Sequence, residues 1–173
     1  SAKNIAHHYD LGNSFYEAWL DPTMTYSSAV FDSDDDDLTT AQLNKYQRLA
    51  GLADIRPGDR VLEIGCGWGG FAKYIASNIG ANVTGITISR EQFVFAKSSI
   101  KEAGLQDKVV LKLMDYRDLQ GQFDKIVSIE MFEAVGRNYW QAYFSTISRV
   151  LGKGGRAVVQ SITIDHAAYH PYQ

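Results

Sequence analysis

The stretch Val61-Leu62-Glu63-Ile64-Gly65-Cys66-Gly67-Trp68-Gly69-Gly70 reads as a buried strand running into a glycine-rich turn. Glycine in a turn costs backbone entropy, so four glycines among residues 65–70 point to a ligand approaching the backbone or to very close packing. Around this turn, apolar runs alternate with helical patterns. The pattern predicts strands over residues 82–88, 109–114, 125–129 and 156–164, and helices over residues 71–78, 90–103 and 138–151. Ser89 is the expected N-cap of the second of these helices and Gly104 its stop. Strands alternating with helices at this spacing give a parallel α/β sheet, in which ligands bind at the carboxyl ends of the strands. The residues following the strands are therefore the first site candidates: the glycine turn, Thr87 and Ile88, Asp115 and Tyr116, residues 130–133 and residues 160–164.

The same turn satisfies G-x-G-x-x-G through Gly65, Gly67 and Gly70, a weak signal for a dinucleotide on its own. A dinucleotide site needs a carboxylate at the end of the second strand. Here that strand ends in Thr87-Ile88-Ser89, with no acid before Glu91. Glu63, just upstream of the turn, would also hinder a pyrophosphate. S-adenosylmethionine has no phosphate and carries an ammonium and a sulfonium, which nearby carboxylates favour. The balance lies with S-adenosylmethionine.

Bulk composition narrows the remaining classes. The chain has 173 residues, 45% of them hydrophobic, which fits one domain with a real core. A net charge of −3 with scattered Lys and Arg gives no footprint for nucleic acid. The single cysteine, Cys66, excludes a disulfide framework and reads as a small buried filler in the turn. With no signal peptide and no apolar run long enough to span a bilayer, the expected location is cytoplasmic.

Upstream of the first strand, residues 5–20 read as a polar-aromatic segment passing into a helix whose Phe15, Trp19 and Leu20 share a face. A second helix is expected to run from a Thr39 or Thr40 cap to about Leu52, with Leu43, Tyr46, Gln47, Leu49 and Ala50 as its stripe. The acidic run at residues 32–37 lacks the glycine and terminal glutamate of an EF-hand, so it reads as a solvated turn. His7 and His8 have no acidic or cysteine partner at ligand spacing, so no metal site is expected.

Several segments together, His8-Tyr9-Asp10-Leu11-Gly12-Asn13, Tyr26-Ser27-Ser28-Ala29, residues 61–70, Thr87-Ile88-Ser89, residues 115–119 and Met131-Phe132-Glu133, resemble the cyclopropane-fatty-acyl-phospholipid synthases across essentially the whole chain. These are S-adenosylmethionine-dependent class I methyltransferases and include the mycolic acid cyclopropane synthases. The resemblance implies a Rossmann-like parallel sheet with flanking helices. Residues 1–55 would form an N-terminal helical segment covering the cofactor, and residues 56–173 the cofactor-binding core. Such sheets have seven strands and five are legible, so the last two are expected to be lacking, as if the chain were cut from a longer one.

The resemblance implies methyl transfer to the double bond of an unsaturated phospholipid acyl chain, giving a cyclopropane or a methyl branch, with contact at the inner face of a membrane. It assigns Tyr26 and Ser27 to the methionine end of the cofactor and Gly65 and Gly67 to the turn. Thr87, Ile88 and Gln92 go to the ribose and adenine side, Tyr116 and Arg117 to the adenine edge, and Ile129 to a backbone contact. Glu63 would orient the amino end or partner a helix dipole, and Asp115 would accept from the adenine amino group or cap a turn.

For the proton released on ring closure, the resemblance implies bicarbonate held by Glu133, Ser28, Gln160 and Ile162. Ser28 stands where many members have cysteine, Gln160 and Ala134 where histidine is usual, and a further tyrosine would lie past residue 173. Glutamine can donate to an anion but carries no charge. Two other readings stay open: an amine N-methyltransferase in which Glu130 and Glu133 orient the amine, and a cofactor-binding piece without catalysis.

Overall fold

The computed structural model describes residues 12–165. His7, His8, the first part of the N-terminal motif and the last eight residues lie outside them. The elements, in chain order, are α1 (Asn13–Glu17), α2 (Leu38–Ala53), β1 (Arg60–Ile64), α3 (Gly70–Asn78), β2 (Asn82–Thr87), α4 (Arg90–Glu102), β3 (Val109–Leu113), β4 (Phe123–Ile129), α5 (Phe132–Val135), α6 (Trp140–Val150) and β5 (Leu151–Gln160). Five parallel strands lie in the order β3-β2-β1-β4-β5. This is the doubly wound parallel sheet of class I methyltransferases. The order reverses between β1 and β4, and the crevice at that reversal is where such sheets take ligands.

Both faces of the sheet are covered, which is why its strands read as near-continuous apolar runs. Alternation along β1 and β4 divides the core. Val61 and Val127 pack with Tyr46, Phe71, Ile75 and Ile100 from α2, α3 and α4, whereas Leu62, Ile64 and Ile126 pack with Tyr143, Ile147 and Val150 from α6. Fully buried Phe71 and Ile75 each contribute about 1.5–3 kcal/mol of transfer free energy. At the reversal, the buried Ser128 hydroxyl donates to the Ile64 carbonyl at 3.0 Å and ties β4 to β1.

Ser89 caps α4 as expected, its hydroxyl accepting from the Gln92 N–H. Several boundaries differ from the sequence reading. Helix α2 is capped by Asp37, not by Thr39 or Thr40: the Asp37 carboxylate accepts from the Thr40 N–H at 2.7 Å, so part of the acidic run is a helix start. Its buried stripe runs through Ala41, Gln42, Lys45, Tyr46, Leu49, Ala50 and Ala53, while Leu43 and Gln47 face outward. In the short helix α1 the buried ring is Tyr16, and Phe15 and Trp19 are exposed, because Tyr16 is the one that meets Trp68 of the glycine turn.

Strand β5 starts at Leu151 and takes up the glycine run through a bulge opposite Phe123 and Lys125. It ends at Gln160, short of the expected Ile164, because its neighbour β4 ends at Ile129 and offers no ladder beyond. Replacing Asp37 by Ala should lower stability by about 1 kcal/mol in urea titration, whereas Thr39→Ala should stay within about 0.5 kcal/mol.

Candidate functional site

A cavity of about 270 Å³ opens at the carboxyl ends of β1, β2, β3 and β4. All twelve residues expected to hold the cofactor line it. Glu63, Gly65 and Gly67 come from β1 and its turn, Thr87 and Ile88 from the end of β2, and Gln92 from the first turn of α4. Asp115, Tyr116 and Arg117 follow β3, Ile129 ends β4, and Tyr26 and Ser27 reach over from the loop between α1 and α2.

The glycines divide between the two roles that the sequence left open. A Cβ built on Gly70 would run into the Tyr46 hydroxyl and lie 2.7 Å from the Thr23 carbonyl, so this position is fixed by close packing. Gly67, at φ +52°, would have no heavy atom within 4 Å of its Cβ, and it stands on the cavity wall. It is there that a ligand gains from a bare backbone.

Glu63 is 3% exposed and sits on the cavity wall directly before the turn. Burial pushes its carboxyl up to about 8, against the lowering effects of the Ala72 backbone and of Lys45. Its Oε2 has no hydrogen-bond partner among the described residues. An unpartnered buried acceptor is costly, and an ammonium is the group that would satisfy it best. The amino end of S-adenosylmethionine fits this wall.

Across the cavity, Met114, Tyr116 and Ile88 supply an apolar side suited to a flat base. Asp115 is gripped by Arg117 at 2.7 and 2.9 Å, and this hydrogen bonding holds its carboxyl below the usual range. Thr87 donates to the Gln92 side-chain carbonyl at 2.9 Å, locking the end of β2 to α4.

The loop carrying Tyr26 and Ser27 is held by two buried polar residues of α2. Gln42 donates to the Ser27 carbonyl at 2.8 Å and Lys45 to the Ser27 hydroxyl at 2.5 Å. Burial pulls the Lys45 ammonium down to about 8, with Glu130, Asp21 and Glu63 opposing that shift. Asp21 and Thr23 organise the start of the same loop, and Thr25 is hydrogen-bonded to Tyr46. Trp68 in the glycine turn donates to Asn13 at 2.8 Å, so the described end of the N-terminal motif is tied to the turn.

The four residues expected at the anion site lie off the cavity lining and fall into two groups. The Ser28 N–H and the Gln160 amide both donate to Glu130 Oε1 at 2.9 Å. The Ile162 N–H and the Ser161 hydroxyl both donate to Glu133, which is exposed. Glu130, not Glu133, is the acid of this pair on the cavity wall. Sequence reasoning counted Glu130 among the residues that follow the fourth strand but gave it a task only with an amine acceptor, and it gave Lys45 no part in the site.

The sequence model of the family described as mycolic acid cyclopropane synthetase matches residues 1–172. The chain belongs to that family. A probable fatty acid methyltransferase of Pseudomonas putida is 41% identical over 172 residues, covering 98% of this chain and 44% of that protein. The cyclopropane-fatty-acyl-phospholipid synthase of Escherichia coli strain K12 is 45% identical over 155 residues, covering 90% of this chain and 39% of that protein. The structure of the cyclopropane synthase MmaA2 from Mycobacterium tuberculosis superposes with a TM-score of 0.92 at 30% identity, over 99% of this chain and 60% of that one. The chain thus spans less than half the length of these two curated relatives and 60% of the MmaA2 chain.

Glu63→Gln should weaken S-adenosylhomocysteine binding about 10- to 100-fold by calorimetry. The folded carboxyl at about 8 lies above the ordinary 4.5, so the folded state keeps a proton that the unfolded chain releases. Wild-type stability should therefore fall as pH rises from about 4.5 to about 8, and the Gln variant, which cannot ionise, should lack that decline in melting curves.

Proposed function

We propose that this chain is the cofactor-binding part of an S-adenosylmethionine-dependent methyltransferase acting on the double bond of an unsaturated phospholipid acyl chain. The observation that carries the reading is the orphaned Glu63 acceptor on a cavity at the sheet's reversal point, lined by every residue assigned to the cofactor. When bound there, the cofactor supplies a methyl group made electrophilic by its sulfonium.

This chain's residues then have distinct tasks. Glu63 holds the amino end, and the bare backbone at Gly67 lets the donor lie against the turn. Tyr116 and Ile88 flank the base, with Asp115 and Arg117 at its edge. Tyr26 and Ser27, fixed by Lys45 and Gln42, close the reactive end against water. Tyr26 and Tyr139 line the cavity and are each about half exposed, giving its mouth the apolar surface an acyl chain needs.

The relatives support a lipid acceptor, since one bears the name fatty acid methyltransferase and another cyclopropane-fatty-acyl-phospholipid synthase. Among the described residues no helix is long and apolar enough to cross a membrane; peripheral contact with the inner leaflet is part of the same proposal. A cyclopropane or a methylene product needs only methyl transfer and loss of a proton. A saturated methyl branch needs a hydride donor in addition.

The test is transfer of label from methyl-labelled cofactor into vesicles of unsaturated phospholipid, with mass analysis of the released fatty acids. A gain of one CH2 per labelled chain is expected. Label found only in added amines would replace this reading with N-methylation.

A further inference from the structure

We infer that Glu130 is the proton acceptor of this site, a carboxylate of the chain itself standing where an external anion would otherwise be held. The inference rests on the methyltransfer reading above. Four observations converge on it.

Glu130 is the first residue beyond β4, half-buried, and on the cavity wall. Its Oε1 takes both the Ser28 N–H and the Gln160 amide at 2.9 Å, and its own N–H donates to the Gln160 carbonyl at 2.9 Å, so residue and cradle are locked together. Its Oε2 has no hydrogen-bond partner among the described residues. Its backbone lies at φ +46°, a region a non-glycine residue holds only where its surroundings impose it, and such outliers gather at functional positions.

The other donors are also taken, since Glu133 receives the Ile162 N–H and the Ser161 hydroxyl. Bicarbonate entering here would find its donors engaged and two carboxylates beside it, an arrangement that repels strongly in a dry pocket. Lys45, buried behind Ser27, draws its largest electrostatic stabilisation from Glu130.

The step balances without a further reagent. The alkene π pair forms a bond to the transferred methyl carbon as the bond from that carbon to sulfur breaks, its electrons passing to the sulfur. A C–H bond of the new methyl then supplies the electron pair that closes the ring on the adjacent cationic carbon. The proton goes to Glu130 Oε2, and the resulting carboxylic acid returns it to solvent after product leaves.

The test uses the longest natural polypeptide that contains this chain, in buffer freed of carbon dioxide and in the same buffer with bicarbonate restored. Wild type should turn over equally in both, and 13C-labelled bicarbonate should show no binding to it by NMR. Glu130→Gln should lower kcat by about 10²- to 10⁴-fold with S-adenosylhomocysteine affinity unchanged. Glu130→Gly, a residue at ease at this φ, should clear the cradle: labelled bicarbonate should bind, and activity should return only when bicarbonate is present.

Bicarbonate dependence or bicarbonate binding in wild type, or near-normal turnover by Glu130→Gln, would overturn the inference. If wild type labels no acyl chain at all, the methyltransfer reading fails instead. The NMR comparison of wild type with Glu130→Gly still decides whether the carboxylate excludes an anion.

Discussion

Two ionisable groups that water barely reaches, Glu63 on β1 and Lys45 on α2, govern how this site is built. Each is costly to bury alone, and each eases the burial of the other through its charge. Lys45 spends its hydrogen bond on Ser27 and so brings the Tyr26–Ser27 loop over the strand ends, while Glu63 keeps one oxygen unpaired on the cavity wall. A sheet of this topology needs neither group for its core. In the proposed function their placement serves a cationic ligand and the loop that covers it, with stability given up locally for that purpose.

Much of this was legible in the sequence because it is local. The glycine turn, the alternation of strands and helices and the Ser89 cap each depend on residues a few positions apart, and the residues that follow β1, β2 and β3, with Glu130 and Met131 after β4, line one cavity, whereas Glu133 and residues 160–164 do not. What escaped was long-range. A lysine in a helix reads as solvent-facing, and only the packing of α2 against the 21–30 loop buries Lys45. The Ser28–Glu130 hydrogen bond joins residues 102 positions apart and leaves no periodicity to find. Tyr16 displaced Phe15 and Trp19 from the core because its partner, Trp68, lies on the other side of β1 in sequence.

The anion cradle is where this chain differs most from the reading its family resemblance suggested. Ser28 and Gln160 meet on Glu130, while Ile162 bonds directly to Glu133 beside the Ser161 hydroxyl, so the four residues form two clusters and not one cradle. A glutamine in place of histidine at 160 fits this arrangement. A neutral amide donates to a carboxylate without forming an ion pair with it.

A crystal structure with S-adenosylhomocysteine bound tests the central claim most directly. The account predicts the ligand's amino group within hydrogen-bond distance of Glu63, its homocysteine chain along Gly65 and Gly67, and its adenine between Ile88 and Tyr116. Ligand bound elsewhere, or with its amino end turned away from Glu63, would contradict it.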